Sequence, residues 1–176
     1  MVMEKEIREI LLRYFIGMII AVITLFIPLF YLIFRPLTFW PTVWILKIFY
    51  KVSLDGFKNI AINGINIEFI DACIAGSAYF LLFILNILSH GLKLNRRIFI
   101  FIFDSFLLLI MNILRLIILI VLLVHGSTAF DITHKVFWYG VSTFYVVLIW
   151  IFTVIAFKIK TIPFISDLKV ILSKKK

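Results

Sequence analysis

The chain has 176 residues and is poor in charged residues, glycine, proline and cysteine. Charged residues make up only 15% of it, which together with 64% apolar residues excludes a disordered chain. Seven glycines and four prolines exclude a collagen-like chain. A single cysteine, Cys73, excludes an intramolecular disulfide, so this thiol needs another explanation.

What the chain does contain is apolar and aromatic. The apolar fraction of 64% exceeds the roughly 45–50% of soluble domains, and 20 residues are phenylalanine. A soluble globular enzyme is therefore excluded, and we expect an integral membrane protein. The net charge of +9 does not indicate a nucleic-acid partner, because the basic residues stand in blocks between apolar runs.

A helix needs about 20 residues to cross a bilayer, and four apolar segments reach this length. We therefore expect an all-α polytopic membrane protein, with one membrane domain over residues 1–176. The expected transmembrane helices lie at about 14–34, 71–90, 98–124 and 135–157. We expect the first to be an uncleaved anchor, because it is too long for the apolar part of a signal peptide and lacks a small-residue cleavage site after it.

Lysines and arginines flanking these segments predict the orientation, because such residues stay cytoplasmic. Twelve of them fall at the N-terminus, in the 91–97 loop and in a basic tail over 158–176, against five on the other side. Both termini are thus expected in the cytoplasm of a multi-pass cell (plasma) membrane protein. Segments 35–70 and 125–135 are then outside.

The outer segment divides into two predicted elements. After Pro36 and Pro41, residues 42–51 are short for a span and rich in aromatic residues and lysine, which favours an interfacial or re-entrant helix over a fifth crossing. Residues 58–69 alternate around Asn63-Gly64, the strongest short hairpin signal. A two-residue turn there pairs Ile62 with Ile65 and predicts a small extracellular β-hairpin.

Three chemically active residues are predicted to share one depth near the outer boundary. Arg115 lies 18 residues beyond Arg97, or about 27 Å at 1.5 Å per residue, and Cys73 lies about 30 Å from Lys93 on the preceding helix. An antiparallel helix pair therefore brings Cys73 and Arg115 level. His134, at the start of the fourth span, falls at or just above the same plane. Lateral convergence cannot be read from this spacing.

These side chains suit acyl transfer. A thiolate is a good nucleophile, and an imidazole can act as general base and then as acid toward a leaving amine. The arginine stays protonated, so it is suited to orient a carbonyl or stabilise an oxyanion. We expect such a trio to cleave an amide through a thioester.

Each of these residues also has a structural interpretation. Cys73 can be a small apolar filler, and Arg115 can snorkel to lipid phosphate or pair with Asp131 or Glu68. His125 is an alternative to His134 as the third residue. Asp104 shares an inward face with Arg115 and is expected to hydrogen-bond to a Ser or Asn of a neighbouring helix. No cofactor or metal is expected, because one cysteine and three scattered histidines lack ligand spacing.

Three short motifs resemble those of the exosortase/archaeosortase family of membrane-embedded transpeptidases. They are Asp71-Ala72-Cys73-Ile74-Ala75-Gly76-Ser77, Asn112-Ile113-Leu114-Arg115 and Thr133-His134-Lys135-Val136-Phe137-Trp138-Tyr139-Gly140. The resemblance covers about residues 58 to 145. One departure is that the family commonly reads Cys-Ser/Thr-Gly, whereas here Gly76 stands three positions after Cys73.

The resemblance implies that Cys73 is the nucleophile, with Arg115 and His134 as the second and third catalytic residues. It implies substrate proteins that end in a short motif, a membrane helix and a basic tail, cleaved at the outer face and transferred to a lipid or similar acceptor. The predicted hairpin is a candidate surface for adding an extended substrate strand. The alternatives are a non-catalytic membrane assembly or transporter subunit whose Arg115 pairs with a partner, and a small transporter using Asp104 and Arg115.

Overall fold

The computed structural model describes residues 2–26, 28–56, 58–89, 91–137 and 142–159. This part of the chain is mostly helical and carries one small antiparallel sheet. The elements are α1 (Val2–Phe26), α2 (Leu29–Phe49), β1 (Val52–Asp55), β2 (Asn59–Ile62), β3 (Ile65–Glu68), α3 (Asp71–Ile74), α4 (Gly76–Leu88), α5 (Leu94–Val124), α6 (Ala129–Val136) and α7 (Ser142–Ala156).

Two of these helices, α2 and α5, are long and apolar enough to cross a membrane by length and composition. Within the described residues, Gly76–Leu88 and Thr143–Ala156 are apolar but shorter. Helix α5 lies at the centre, because α2, α4 and α7 all pack against it. Its buried face repeats at helical spacing, and the predicted inward position of Asp104 on this face is confirmed.

The start of the chain differs from the prediction of one span over 14–34 and a separate interfacial helix over 42–51. Helix α1 ends at Phe26, and α2 then runs unbroken from Leu29 to Phe49. Pro28 fits the break, because it has no N–H for a helical hydrogen bond and its own ψ of 56° is not helical. Pro36 and Pro41 do not end α2, whose surrounding side chains Phe39 and Val43 are almost fully buried.

The predicted hairpin is confirmed together with its register. Ile62 pairs with Ile65 and Ile60 with Ile67, and the turn residues Asn63 and Gly64 have φ of 53° and 82°. A strand that the sequence analysis missed, β1, adds to the other side of β2, so the sheet has the order β1-β2-β3. Ile60 and Ile62 join the sheet to a cluster that includes residues of α2 and α5.

The predicted helix over 71–90 is interrupted. Ala75 adopts the left-handed conformation, with φ of 57°, and separates the single turn α3 from α4. His134 lies on the amphipathic helix α6, and the next described helix, α7, begins at Ser142. Residues 138–141, which carry the end of the third motif, and 160–176, most of the predicted basic tail, lie outside the described residues.

Candidate active site

Cys73 lies in the single turn α3, directly after the sheet. Its backbone N–H donates to the Ile70 carbonyl at 2.9 Å, and its side chain is partly buried. Ala75, in the left-handed conformation, ends this turn. Helix α4 follows, and the Ala78 N–H donates to the Ala75 carbonyl at 2.9 Å. The last carbonyls of α3 therefore need donors from another element.

Helix α5 supplies those donors through the Asn-x-x-Arg motif. Asn112 Nδ2 donates to the Cys73 carbonyl at 2.8 Å and lies 3.4 Å from that of Ile74. Arg115 Nη2 donates to the Ala72 carbonyl at 3.0 Å and lies 3.5 Å from the Cys73 carbonyl. These contacts place Arg115 beside Cys73, at the common level that the helix lengths predict.

His134 reaches the same place from α6. Its ring is exposed and stacks on Phe130, with centroids 5.6 Å apart and planes at 14°. His134 and Cys73 line one cavity of about 280 Å³. A smaller cavity of about 40 Å³ is lined by Cys73, Arg115 and His134 together. The three residues therefore converge laterally as well as in depth.

His125, the alternative third residue, lies elsewhere. It ends α5, where its Nδ1 is 2.8 Å from the Val121 carbonyl oxygen and its ring lies edge-on to Tyr50, with centroids 6.2 Å apart. Neither of the two cavities that contain Cys73 is lined by His125 in the described part of the chain. The geometry therefore selects His134 as the histidine beside the thiol.

An ion pair connects α2 to the turn that carries Cys73. Arg35 on α2 donates to Asp71, the first residue of α3, in a salt bridge. The carboxylate is 62% exposed and the guanidinium 24%, so the pair itself adds little stability. Arg35 is one of the five basic residues counted above on the outer side, and the sequence does not predict this contact, because the two residues are 36 positions apart.

Gly76 fixes the start of α4 against α2. A Cβ atom on Gly76 would stand 2.8 Å from ring carbons of Tyr31, which is closer than such contacts ever come. Glycine is thus favoured at this position, because a Cβ atom there would require the Tyr31 ring to shift. The close approach of α2 brings Arg35 within reach of Asp71.

Asp104 belongs to a different part of the bundle. It is fully buried and accepts a hydrogen bond from Thr153 Oγ1 on α7. The predicted structural hydrogen bond is therefore present, with a threonine as the donor instead of a serine or asparagine. Asp104 lies about 16 Å along the axis of α5 from Arg115, so the two residues do not form a pair.

The arrangement combines a nucleophile, a cation and a proton acceptor around one cavity. The larger cavity, which Cys73 and His134 line, has a mostly apolar wall from Phe69, Leu116, Leu119, Ile120 and Leu123, while Glu68 and Asn66 stand on the side of the sheet. Comparison with models of known protein families, with curated proteins and with solved structures finds no match for this chain.

Proposed function

We propose that this chain is a membrane cysteine transpeptidase or protease of the exosortase/archaeosortase kind. It cleaves the C-terminal sorting signals of secreted proteins at the outer face of the cell membrane and transfers them to a lipid or similar anchor. The observation that carries the proposal is that Cys73, the only cysteine of the chain, shares a cavity with Arg115 and His134.

The proposed membrane arrangement has four crossings with both termini in the cytoplasm. Support comes from the large apolar side chains exposed on the outer faces of several helices, among them Phe15 on α1, Leu114 on α5 and Phe152 on α7. Exposed apolar surface of this extent needs a cover, and lipid supplies one. The excess of Lys and Arg on one side sets the orientation, with the Cys73 cavity outside.

The proposed reaction has two steps. In the first, His134 takes the Cys73 proton and the thiolate attacks the scissile carbonyl carbon, while Arg115 stabilises the developing oxyanion. The C–N bond then breaks, the leaving amine takes the proton from His134, and a thioester remains. In the second step, the amine or hydroxyl of the acceptor attacks the thioester, and the thiol is regenerated with its proton.

The bond from Arg115 to the Ala72 carbonyl fits this scheme, because it holds the guanidinium within the cavity wall next to the nucleophile. The same bond speaks against the competing proposal, a non-catalytic membrane subunit whose Arg115 reaches outward to a partner chain. In that case Cys73 is dispensable. The two proposals therefore differ in what replacement of the thiol does.

The test uses a secreted reporter that ends in a short randomised segment, an apolar helix and a basic tail, co-expressed with the chain. Sequencing of the processed reporters identifies a segment that is cleaved, and gel mobility and lipid labelling then follow its fate. Cys73→Ala and Cys73→Ser are expected to lower processing by at least about 10³-fold. Normal processing by both variants ends the enzyme proposal.

A matched pair of histidine variants tests the role of His134 as the third catalytic residue. His134→Gln is expected to lower the processing rate by about 10²–10⁴-fold, the usual contribution of a general acid–base group. His125→Gln is the control, because His125 is also exposed but lies away from the thiol. Equal rates for the two variants contradict the role assigned to His134.

A further inference from the structure

Among the described residues, the sheet has a free edge beside the candidate nucleophile. In an antiparallel pair the residues alternate between pointing their N–H and C=O groups toward the partner strand and away from it. Phe69 N–H donates to the Lys58 carbonyl at 2.8 Å, so the odd-numbered residues of β3 face β2. Asn66 and Glu68 therefore point their N–H groups away from the sheet. Of these two residues, the Glu68 carbonyl already accepts from Ile70 N–H at 3.2 Å.

This free edge borders the cavity that contains Cys73. Five consecutive residues, from Asn66 to Ile70, line the cavity, whereas β1 at the other edge of the sheet contributes none. The opposite walls come from α5 and α6. An unpaired strand edge is a template for another strand, and here it leads along the chain toward the thiol.

We propose that the free edge of β3 binds an extended segment of the substrate polypeptide through main-chain hydrogen bonds to Asn66 and Glu68. The segment forms a fourth strand, and one of its apolar side chains enters the cavity beside Cys73. This inference rests on the proposed function, because it names how that site holds its substrate. Strand addition is a common mode of peptide recognition, in which backbone bonds give affinity and pockets give side-chain specificity.

The cavity sets the specificity of the segment. The cavity has a volume of about 280 Å³. Small-molecule sites have volumes of about 300–1,000 Å³, so this slightly smaller cavity suits one large side chain of an extended peptide. The lining from Leu116, Leu119 and Leu123 selects an apolar residue at that position. Glu68 at the rim repels an acidic residue next to it.

A pair of proline variants tests the edge. Asn66→Pro removes an N–H that points away from β2, so the ladder between β2 and β3 stays intact. Leu54→Pro is the matched control, because alternation along β1 places the Leu54 N–H at the opposite free edge of the same sheet. Both proteins are first compared with the unaltered chain for membrane level and thermal stability in detergent.

The readout is processing of the reporter segment selected above. Asn66→Pro is expected to lower it by about tenfold or more, the effect of losing roughly 1.4 kcal/mol of binding, while Leu54→Pro stays within about twofold of the unaltered chain. Equal processing by the two variants overturns the inference while leaving the proposed function in place. Processing that persists in Cys73→Ala overturns the proposed function itself.

A second measurement leaves the enzyme unaltered, so that misfolding of a variant cannot mimic the result. Proline is placed at each position of the selected reporter segment in turn. Pairing with β3 predicts that processing falls at alternate positions, where the substrate N–H faces the edge. A uniform loss, or a loss only at the scissile bond, contradicts strand addition.

Discussion

Asn112 is expected to be a main determinant of the local stability of the Cys73 turn. It is almost fully buried, with 4% exposure, and donates to the Cys73 carbonyl at 2.8 Å. Its second contact, to the Ile74 carbonyl at 3.4 Å, is weak by distance. Asn112→Ala leaves both carbonyls without this donor, and Arg115 Nη2, at 3.5 Å from the Cys73 carbonyl, is too distant to replace it.

The size of the effect follows from the number of bonds lost. A buried polar group left unsatisfied costs about 1–3 kcal/mol, whereas hydrogen bonds inside membrane proteins average about 0.6 kcal/mol. One good bond and one weak bond therefore correspond to about 1–2 kcal/mol in the free energy of unfolding. The unfolding equilibrium constant is then expected to rise by roughly 5–30-fold.

Asn112→Asp separates the loss of a donor from the loss of volume. The side chain keeps its shape, but a carboxylate oxygen then faces the Cys73 carbonyl, so we expect a larger loss of stability than for Asn112→Ala. Asn95→Ala is the control, because Asn95 is an exposed asparagine in the first turn of the same helix. Its expected effect is within about 0.5 kcal/mol.

The measurement is unfolding by sodium dodecyl sulfate in mixed micelles, followed by circular dichroism at equilibrium. The reasoning is refuted if Asn112→Asp unfolds at the same detergent fraction as the unaltered chain. It is also refuted if Asn112→Ala and Asn95→Ala are indistinguishable. Either result means that the α3 carbonyls do not depend on α5.

Two further predictions concern glycines and use the same unfolding assay. Gly76→Ala is expected to cost about 1–3 kcal/mol because its Cβ would stand 2.8 Å from the Tyr31 ring, and Tyr31→Leu in the same chain is expected to recover most of the loss. No recovery in the double variant contradicts this contact. Gly64→Ala is expected to cost about 1–2 kcal/mol, because φ is 82° at this position and the new Cβ is strained there. The matched change Asn63→Ala, at φ of 53°, is expected to cost less, because asparagine already carries a Cβ. Equal costs at the two positions contradict an effect of turn geometry.

The hairpin and its register are predictable from sequence because the determinants are local. Asn63-Gly64 supplies both positive-φ residues of the turn, and alternation then leaves one register in which the isoleucines share a face. The common level of Cys73 and Arg115 is also predictable, because it depends only on helix rise and on the tight turn between two helices. Both are properties of neighbouring segments.

The helix boundaries were harder to predict because similar signals had different outcomes. Pro28 separates α1 from α2, whereas Pro36 and Pro41 lie inside α2. Every proline removes one helical hydrogen bond, so the local cost is alike. Around the two inner prolines, Phe39 and Val43 pack almost completely against other elements, and this tertiary contact preserves the helix. No pattern in the sequence reports that packing.

The lateral meeting of the three residues also escapes prediction, since equal depth does not fix how a helix is rotated about its axis. His134 reaches the cavity because α6 packs against α5, and the spacing of residues along the chain does not report that contact.

The left-handed residue Ala75 connects the fold to the chemistry. A non-glycine residue in this conformation costs about 1–2 kcal/mol, and alanine has no side-chain hydrogen bond with which to offset it. If α3 and α4 formed one continuous helix, the carbonyls of Ala72 and Cys73 would bond within that helix and would be closed to Asn112 and Arg115. The break exposes these carbonyls, and the bonds from α5 compensate for its cost. The bonds from α5 therefore stabilise the turn that carries Cys73, and the bond from Arg115 also holds its guanidinium beside the thiol. The stability of this turn is thus linked to the proposed catalysis.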